Sequence, residues 1–200
     1  FFGRLEEKGI ALNYSTLVGH GTIRGAAMGF NDRPPSPVEL EKMKALVEEH
    51  MRSGAFGLSS GLEYTPGSFA RPDELTELCR VVARLNGTYA THMRDEDEGI
   101  LESLDECIGA ARDSGVRLQI AHLKVGGYRN WPKVDAALAK IDQAKQEGID
   151  LFCDRYPYIA GSTGLNSYFP LWAREGTTED FLRRLQDPAL DEKLRAHLAT

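Results

Sequence analysis

Thr88-Tyr89-Ala90-Thr91-His92-Met93-Arg94-Asp95-Glu96 is a short apolar run that reaches a histidine and then opens into an acidic loop. Thirty residues later Leu118-Gln119-Ile120-Ala121-His122-Leu123-Lys124 repeats the arrangement. The interval is about the length of one strand–helix unit. In a parallel barrel the C-terminal ends of successive strands are neighbours on one rim, where ligands bind. Two histidines distant in sequence thereby become a candidate metal or acid–base pair. Alternation along a strand puts Thr88, Ala90 and His92 on one face, and Leu118, Ile120, His122 and Lys124 on one face of the next strand. Either histidine alone reads equally well as a hydrogen-bonded structural residue; two at equivalent strand ends favour a shared site.

Outward from this pair the chain alternates strand and helix patterns. Ile10 to Gly19 reads as a strand, followed by a loop rich in Gly, Asn and Pro. Ser36-Pro37-Val38-Glu39 opens a helix, with serine at the N-cap, proline at the first position and glutamate three residues on. Leu40, Met43, Leu46, Val47 and Met51 recur there at helical spacing. Ala55 to Ser59 is a second strand. Further helices are expected from Pro72 to Leu85, from Ile100 to Gly115 and from Pro132 to Gln146. A last strand runs from Asp150 to Tyr156, and the tail from Thr178 is helical. About five strands separated by helices predict an α/β fold, a parallel sheet or barrel. No Gly-x-Gly-x-x-Gly follows a strand and no Walker-type loop is present, so a nucleotide site has no support.

The chain has 200 residues, 42% of them hydrophobic and 27% charged, with a net charge of −6. The acidic balance argues against nucleic-acid partners. No apolar stretch reaches the roughly 20 residues of a membrane span, and no signal peptide is expected. The three cysteines, Cys79, Cys107 and Cys153, are sparse and unpaired in pattern, which suggests reduced thiols and a cytoplasmic setting. Cys79 and Cys107 fit helix cores. Of the remaining histidines, His20 ends the first strand and faces the presumed rim, whereas His50 and His197 read as surface or packing residues. The acidic run Asp95 to Glu98 reads as charge at a helix N-terminus, with Arg94 and Glu96 able to orient groups at the rim.

Four segments carry a more specific signal: GAFGLSSGLEYTPG (54–67), YATHMRDE (89–96), QIAHLK (119–124) and DRYPYIAGSTGL (154–165). In this order and spacing they resemble the N-acyl-D-amino-acid deacylases, or D-aminoacylases, of the amidohydrolase superfamily, over Leu12 to Trp172. The resemblance implies a (β/α)8 TIM barrel with a small β-domain. It implies His92 and His122 as zinc ligands at the ends of the fifth and sixth barrel strands. Lys124, Tyr156 and Ser162 match positions that bind the substrate carboxylate, and Tyr64 matches a tyrosine that contacts the scissile carbonyl oxygen. The implied activity is zinc-dependent hydrolysis of the amide bond of a small-molecule N-acyl-D-amino acid.

The resemblance also defines what residues 1–200 lack. The family's His-x-His, its metal-ligating cysteine and its catalytic aspartate have no counterpart in the chain. The expectation is therefore a central portion of one catalytic barrel, about strands three to seven, with Phe1 to Gly9 as the end of the second helix. Such a piece is expected to be inactive alone and to self-associate through open sheet edges. Two other readings stay open. A cyclic amidase of the hydantoinase or dihydroorotase kind usually needs a lysine at the strand ending Gly57-Leu58-Ser59-Ser60, where none occurs. A non-catalytic α/β scaffold would leave both histidines structural.

Overall fold

The computed structural model describes residues 2–198. In chain order it contains α1 (Phe2–Lys8), β1 (Val18–Gly19), α2 (His20–Met28), α3 (Pro37–Arg52), β2 (Gly57–Gly61), α4 (Pro72–Arg84), β3 (Thr88–His92), α5 (Ile100–Ser114), β4 (Arg117–Ile120), α6 (Val134–Gln146), β5 (Leu151–Cys153), α7 (Leu171–Arg174), α8 (Thr178–Gln186) and α9 (Asp191–Leu198). Among the described residues the strands form one sheet, ordered β1-β2-β3-β4-β5, with every pairing parallel. Each strand lies beside its successor and each connection is helical, as the β/α alternation predicts.

The register explains the packing. Val18, Leu58, Tyr89, Leu118 and Leu151 lie in one row across all five strands. Leu58, Tyr89, Leu118 and Leu151 are buried beneath α3 to α6, which contribute Met43, Val47, Leu78, Val82, Leu104, Ile108 and Ile141 to the same core. Burying each large side chain contributes roughly 1.5–3 kcal/mol. The Tyr89 hydroxyl bonds Ser60 Oγ at 2.8 Å, so its polar end is satisfied inside the core. Burial pushes its phenol above the ordinary range. Gly57 is dictated by close approach, since a Cβ there would stand 1.8 Å from the Thr88 carbonyl oxygen. The opposite row, Ser59, Ala90, Gln119 and Phe152, is half-buried to exposed.

The capping box forms as expected. Ser36 accepts from the Glu39 N–H and Glu39 accepts from the Ser36 N–H. The first strand is much shorter than expected: of Ile10 to Gly19 only Val18–Gly19 is strand. Phe56 N–H reaches the Thr16 carbonyl, but Ile10, Leu12 and Tyr14 are exposed, and exposed apolar residues contribute little burial to hold a strand in place. α2 replaces part of the expected loop; Gly21 and Gly25 mask its helical pattern, yet Ile23, Arg24 and Met28 bury one face. The acidic run Asp95 to Glu98 is a loop rather than a helical turn, because α5 begins at Ile100 after Gly99. No described helix is long and apolar enough to cross a membrane.

Candidate metal centre and substrate cleft

His92 is the last residue of β3 and lies on the Ala90 face, toward the cleft. His122 arrives there by a different route than strict alternation supplies. Leu118 and Ile120 face the helices, so an unbroken strand would send His122 after them. Instead β4 ends at Ile120, and His122 takes a left-handed backbone conformation with φ 41°. Such a φ is uncommon and costly for a non-glycine residue. It turns the imidazole across to His92, with ring centroids 4.6 Å apart. The expected shared face of Leu118, Ile120 and His122 is thus incorrect, although the expected pair forms.

The pair is hydrogen-bonded outward as well as inward. His92 Nδ1 and His122 Nε2 are 2.9 Å apart. On its far side His92 donates from Nε2 to Glu63 Oε2 at 2.8 Å, which leaves Nδ1 with a free lone pair. A carboxylate fixing one imidazole nitrogen so that the other can bind metal is a recurrent arrangement. His122 Nδ1 has Lys124 Nζ at 3.0 Å and Glu96 Oε1 at 2.9 Å. That oxygen is buried, and its contact with the ring is out of line for a directed hydrogen bond, leaving it without one. Lys124 is ion-paired to the other Glu96 oxygen.

This donor set fits a divalent cation. One proton bridges the two imidazoles without metal; with metal, His122 can carry its proton on Nδ1, facing the underused Glu96 oxygen. One atom each from His92, Glu96 and His122 lies within 4.8 Å of the others. Zn–N bonds of about 2.0–2.1 Å at a tetrahedral angle hold two nitrogens about 3.3 Å apart. The observed spacing reaches that value with a shift of a few tenths of an ångström. Two neutral imidazoles are ordinary zinc ligands, and a catalytic site would take its remaining ligand from outside this pair.

All six residues singled out from the sequence line one cleft of about 1890 Å³: Tyr64, His92, His122, Lys124, Tyr156 and Ser162. The Tyr64 ring lies 5.0 Å from His92, and its hydroxyl is 3.0 Å from Thr163 Oγ1. Tyr156 lies 6.5 Å from the His122 ring, stacks on Tyr158 at 4.6 Å and has Lys124 Nζ 5.6 Å above it. Desolvation raises the Asp97 carboxyl above its ordinary value, with the Asp95, Glu63 and Glu96 charges adding to the effect. Desolvation likewise lowers the Arg174 guanidinium, which donates to the Glu63 carbonyl at 3.1 Å.

Some expected residues do other work. Arg94 is held by Glu106 and by the Ser68 and Ala70 carbonyls, so it ties loops together. His20 is fully buried and bonds Glu74 Oε1 at 2.7 Å through Nε2, beside the Arg24–Glu74 pair. Glu63 and Asp154 were not anticipated. Glu63 adjoins Tyr64 in a quoted motif, and a carboxylate beside a cleft tyrosine was the available signal. Asp154 begins the last motif, but its role depends on a neighbouring backbone that sequence spacing does not reveal.

No protein-family model matches the chain. It is similar to a D-aminoacylase of Alcaligenes xylosoxydans xylosoxydans, 41% identical over 155 residues, which are 78% of this chain and 32% of the relative. It is 36% identical to an N-acyl-D-glutamate deacylase of the same organism over 163 residues, 82% of this chain and 33% of that one. Among solved structures it resembles the N-acyl-D-glutamate deacylase of Bordetella bronchiseptica complexed with zinc and a phosphonate inhibitor that mimics the tetrahedral intermediate. That match has a TM-score of 0.75 and 33% identity, and covers 78% of this chain and 33% of the other. The chain spans about one third of the length of these relatives. Its parallel β/α sheet superposes on theirs, and the chain belongs to the D-aminoacylase family of amidohydrolases.

Proposed function

We propose that the chain is part of a longer (β/α)8 catalytic barrel that hydrolyses the amide bond of N-acyl-D-amino acids with zinc held by His92 and His122. The observation that carries this reading is the convergence of His92 Nδ1 and His122 Nε2 in the cleft that also holds Tyr64, Lys124, Tyr156 and Ser162. The names of the relatives supply the substrate class and its D configuration, and the Bordetella complex supports zinc.

When bound, zinc supplies Lewis acidity to the scissile carbonyl and to the attacking water. The protein's own groups position the substrate. Lys124, Tyr156 and Ser162 bind the carboxylate through an ammonium and two hydroxyls, a charge-assisted set that fixes the amide over the histidines. Lys124 exchanges part of its pairing with Glu96 for the substrate. The Tyr64 hydroxyl, now bonded to Thr163, donates instead to the carbonyl oxygen as negative charge develops there. Glu63 holds the His92 proton on Nε2 throughout.

The open edges β1 and β5 support pairing with further barrel strands or with a second copy. The three free cysteines support a reducing, cytoplasmic setting. β2 offers Ser59 and Ser60 but no lysine, so a ring-opening amidase reading gains nothing from the structure. The test is a deacylation assay on the zinc-loaded full-length protein with paired N-acetyl-D- and N-acetyl-L-amino acids. Turnover of the D series, lost on adding a chelator, is expected. Failure to hydrolyse any N-acyl-D-amino acid would overturn the reading.

A further inference from the structure

The unusual backbone of His122 has an identifiable support. β4 and β5 pair only as far as Ile120 and Cys153, and beyond that point Asp154 takes over. Its N–H donates to the Ile120 carbonyl at 3.1 Å, and its carbonyl accepts from Leu123 N–H at 2.8 Å. Its carboxylate stands in for the next ladder acceptor. Oδ1 accepts the His122 N–H at 2.6 Å, and Oδ2 accepts from Gln119 Nε2 at 2.7 Å. The four bonds bracket the single residue whose φ of 41° brings its ring to His92.

We propose that Asp154 is a positioning residue that holds His122 in its left-handed conformation and so presents Nε2 to the cation site. The proposal rests on the reading of His92 and His122 as that site. A continued ladder would send the His122 N–H to the Asp154 carbonyl, as the Leu118 N–H goes to the Asp150 carbonyl. Here the Asp154 carboxylate takes that N–H and leaves the carbonyl to the Leu123 N–H, and the charge-assisted bond offsets the cost of the turn. Asp154 touches neither the expected cation nor the substrate groups. It begins the segment that carries Tyr156 and Ser162, so it also fixes the origin of the carboxylate-binding loop relative to His122.

The experiment compares the wild-type full-length protein with Asp154→Ala and Asp154→Asn by NMR, and then by zinc titration against a chromophoric chelator. In wild type the His122 amide proton is expected to be shifted downfield and slow to exchange, and the two imidazoles to show mutual nuclear Overhauser contacts. Asp154→Ala is expected to lose both signatures and to weaken zinc binding about 10–100-fold, the range for losing a group that orients a metal ligand. Asp154→Asn keeps an acceptor and is expected to restore the ring contacts and most of the affinity. Asp154 is exposed, so both variants are expected to melt cooperatively near wild type. Retention of the ring contacts and amide shift in Asp154→Ala would overturn the proposal. Absence of zinc binding in wild type, with the contacts still lost in Asp154→Ala, would instead overturn the metal reading and leave the positioning role standing.

Discussion

Glu63 Oε2 lies 2.8 Å from His92 Nε2, on the side of the ring opposite His122. The bond fixes which imidazole nitrogen carries the proton and leaves Nδ1 turned to the cleft. Glu63→Ala is expected to weaken zinc binding about 10–100-fold. The loss of a half-exposed group should change unfolding free energy by no more than about 0.5 kcal/mol. Chelator competition and urea denaturation on the same samples check both parts.

Glu74 is a structural counterpart to that carboxylate. It is 2% exposed and bonds both His20 and Arg24, which are fully buried. Glu74→Ala leaves the Arg24 guanidinium with only the Asn31 and Arg33 carbonyls. An uncompensated buried charge of this kind costs about 3–5 kcal/mol. Urea denaturation is expected to show that loss, while Glu63→Ala shows almost none.

The start of α3 makes a pH-dependent prediction. Ser36→Ala removes the N-cap bond and is expected to cost about 1 kcal/mol. Glu39 is held well below the ordinary carboxylate value of 4.5, first by its bond to Arg33 and then by the Ser36 N–H. A depressed folded value means that its contribution is fully present above the unfolded pKa and is lost as pH falls through the folded one. The difference in stability between wild type and Glu39→Gln should therefore be constant near neutrality and shrink steadily below about pH 4.5. A difference that grew on acidification would contradict the assignment.

The thiols should divide into two classes. Burial pushes Cys107 up to about 12 and Cys79 above its ordinary range, and both side chains are buried. Cys153 is exposed at the end of β5. An aromatic disulfide reagent at neutral pH is expected to titrate one thiol quickly in the native chain and all three after denaturation. Two fast thiols in the native state would contradict the packing of α4 and α5.

Much of this fold is local in origin and was legible for that reason. The Ser36–Glu39 box, the apolar spacing of α3 to α6 and the left-handed Gly115 that stops α5 are all set by residues within a few positions of one another. The β1 strand was over-read because Ile10, Leu12 and Tyr14 alternate correctly but are exposed rather than buried in the core. α2 was missed because its glycines resemble loop composition. The histidine pair was legible from strand-end equivalence, yet its geometry was not. Parity assigned His122 to the wrong face, and the correction comes from Asp154 on a neighbouring strand, a contact across 32 positions. Glu63 was hidden in the same way, by a partner 29 residues away.

The central claim is that His92 and His122 bind one cation between them, and anomalous diffraction at the zinc edge tests it most directly. Crystals of the zinc-loaded protein are expected to show a single strong peak bridging His92 Nδ1 and His122 Nε2, about 2.0–2.1 Å from each nitrogen. His92→Ala is expected to abolish it. No peak between the two rings, or a zinc ion bound through other side chains while the imidazoles stay hydrogen-bonded to each other, would contradict the account.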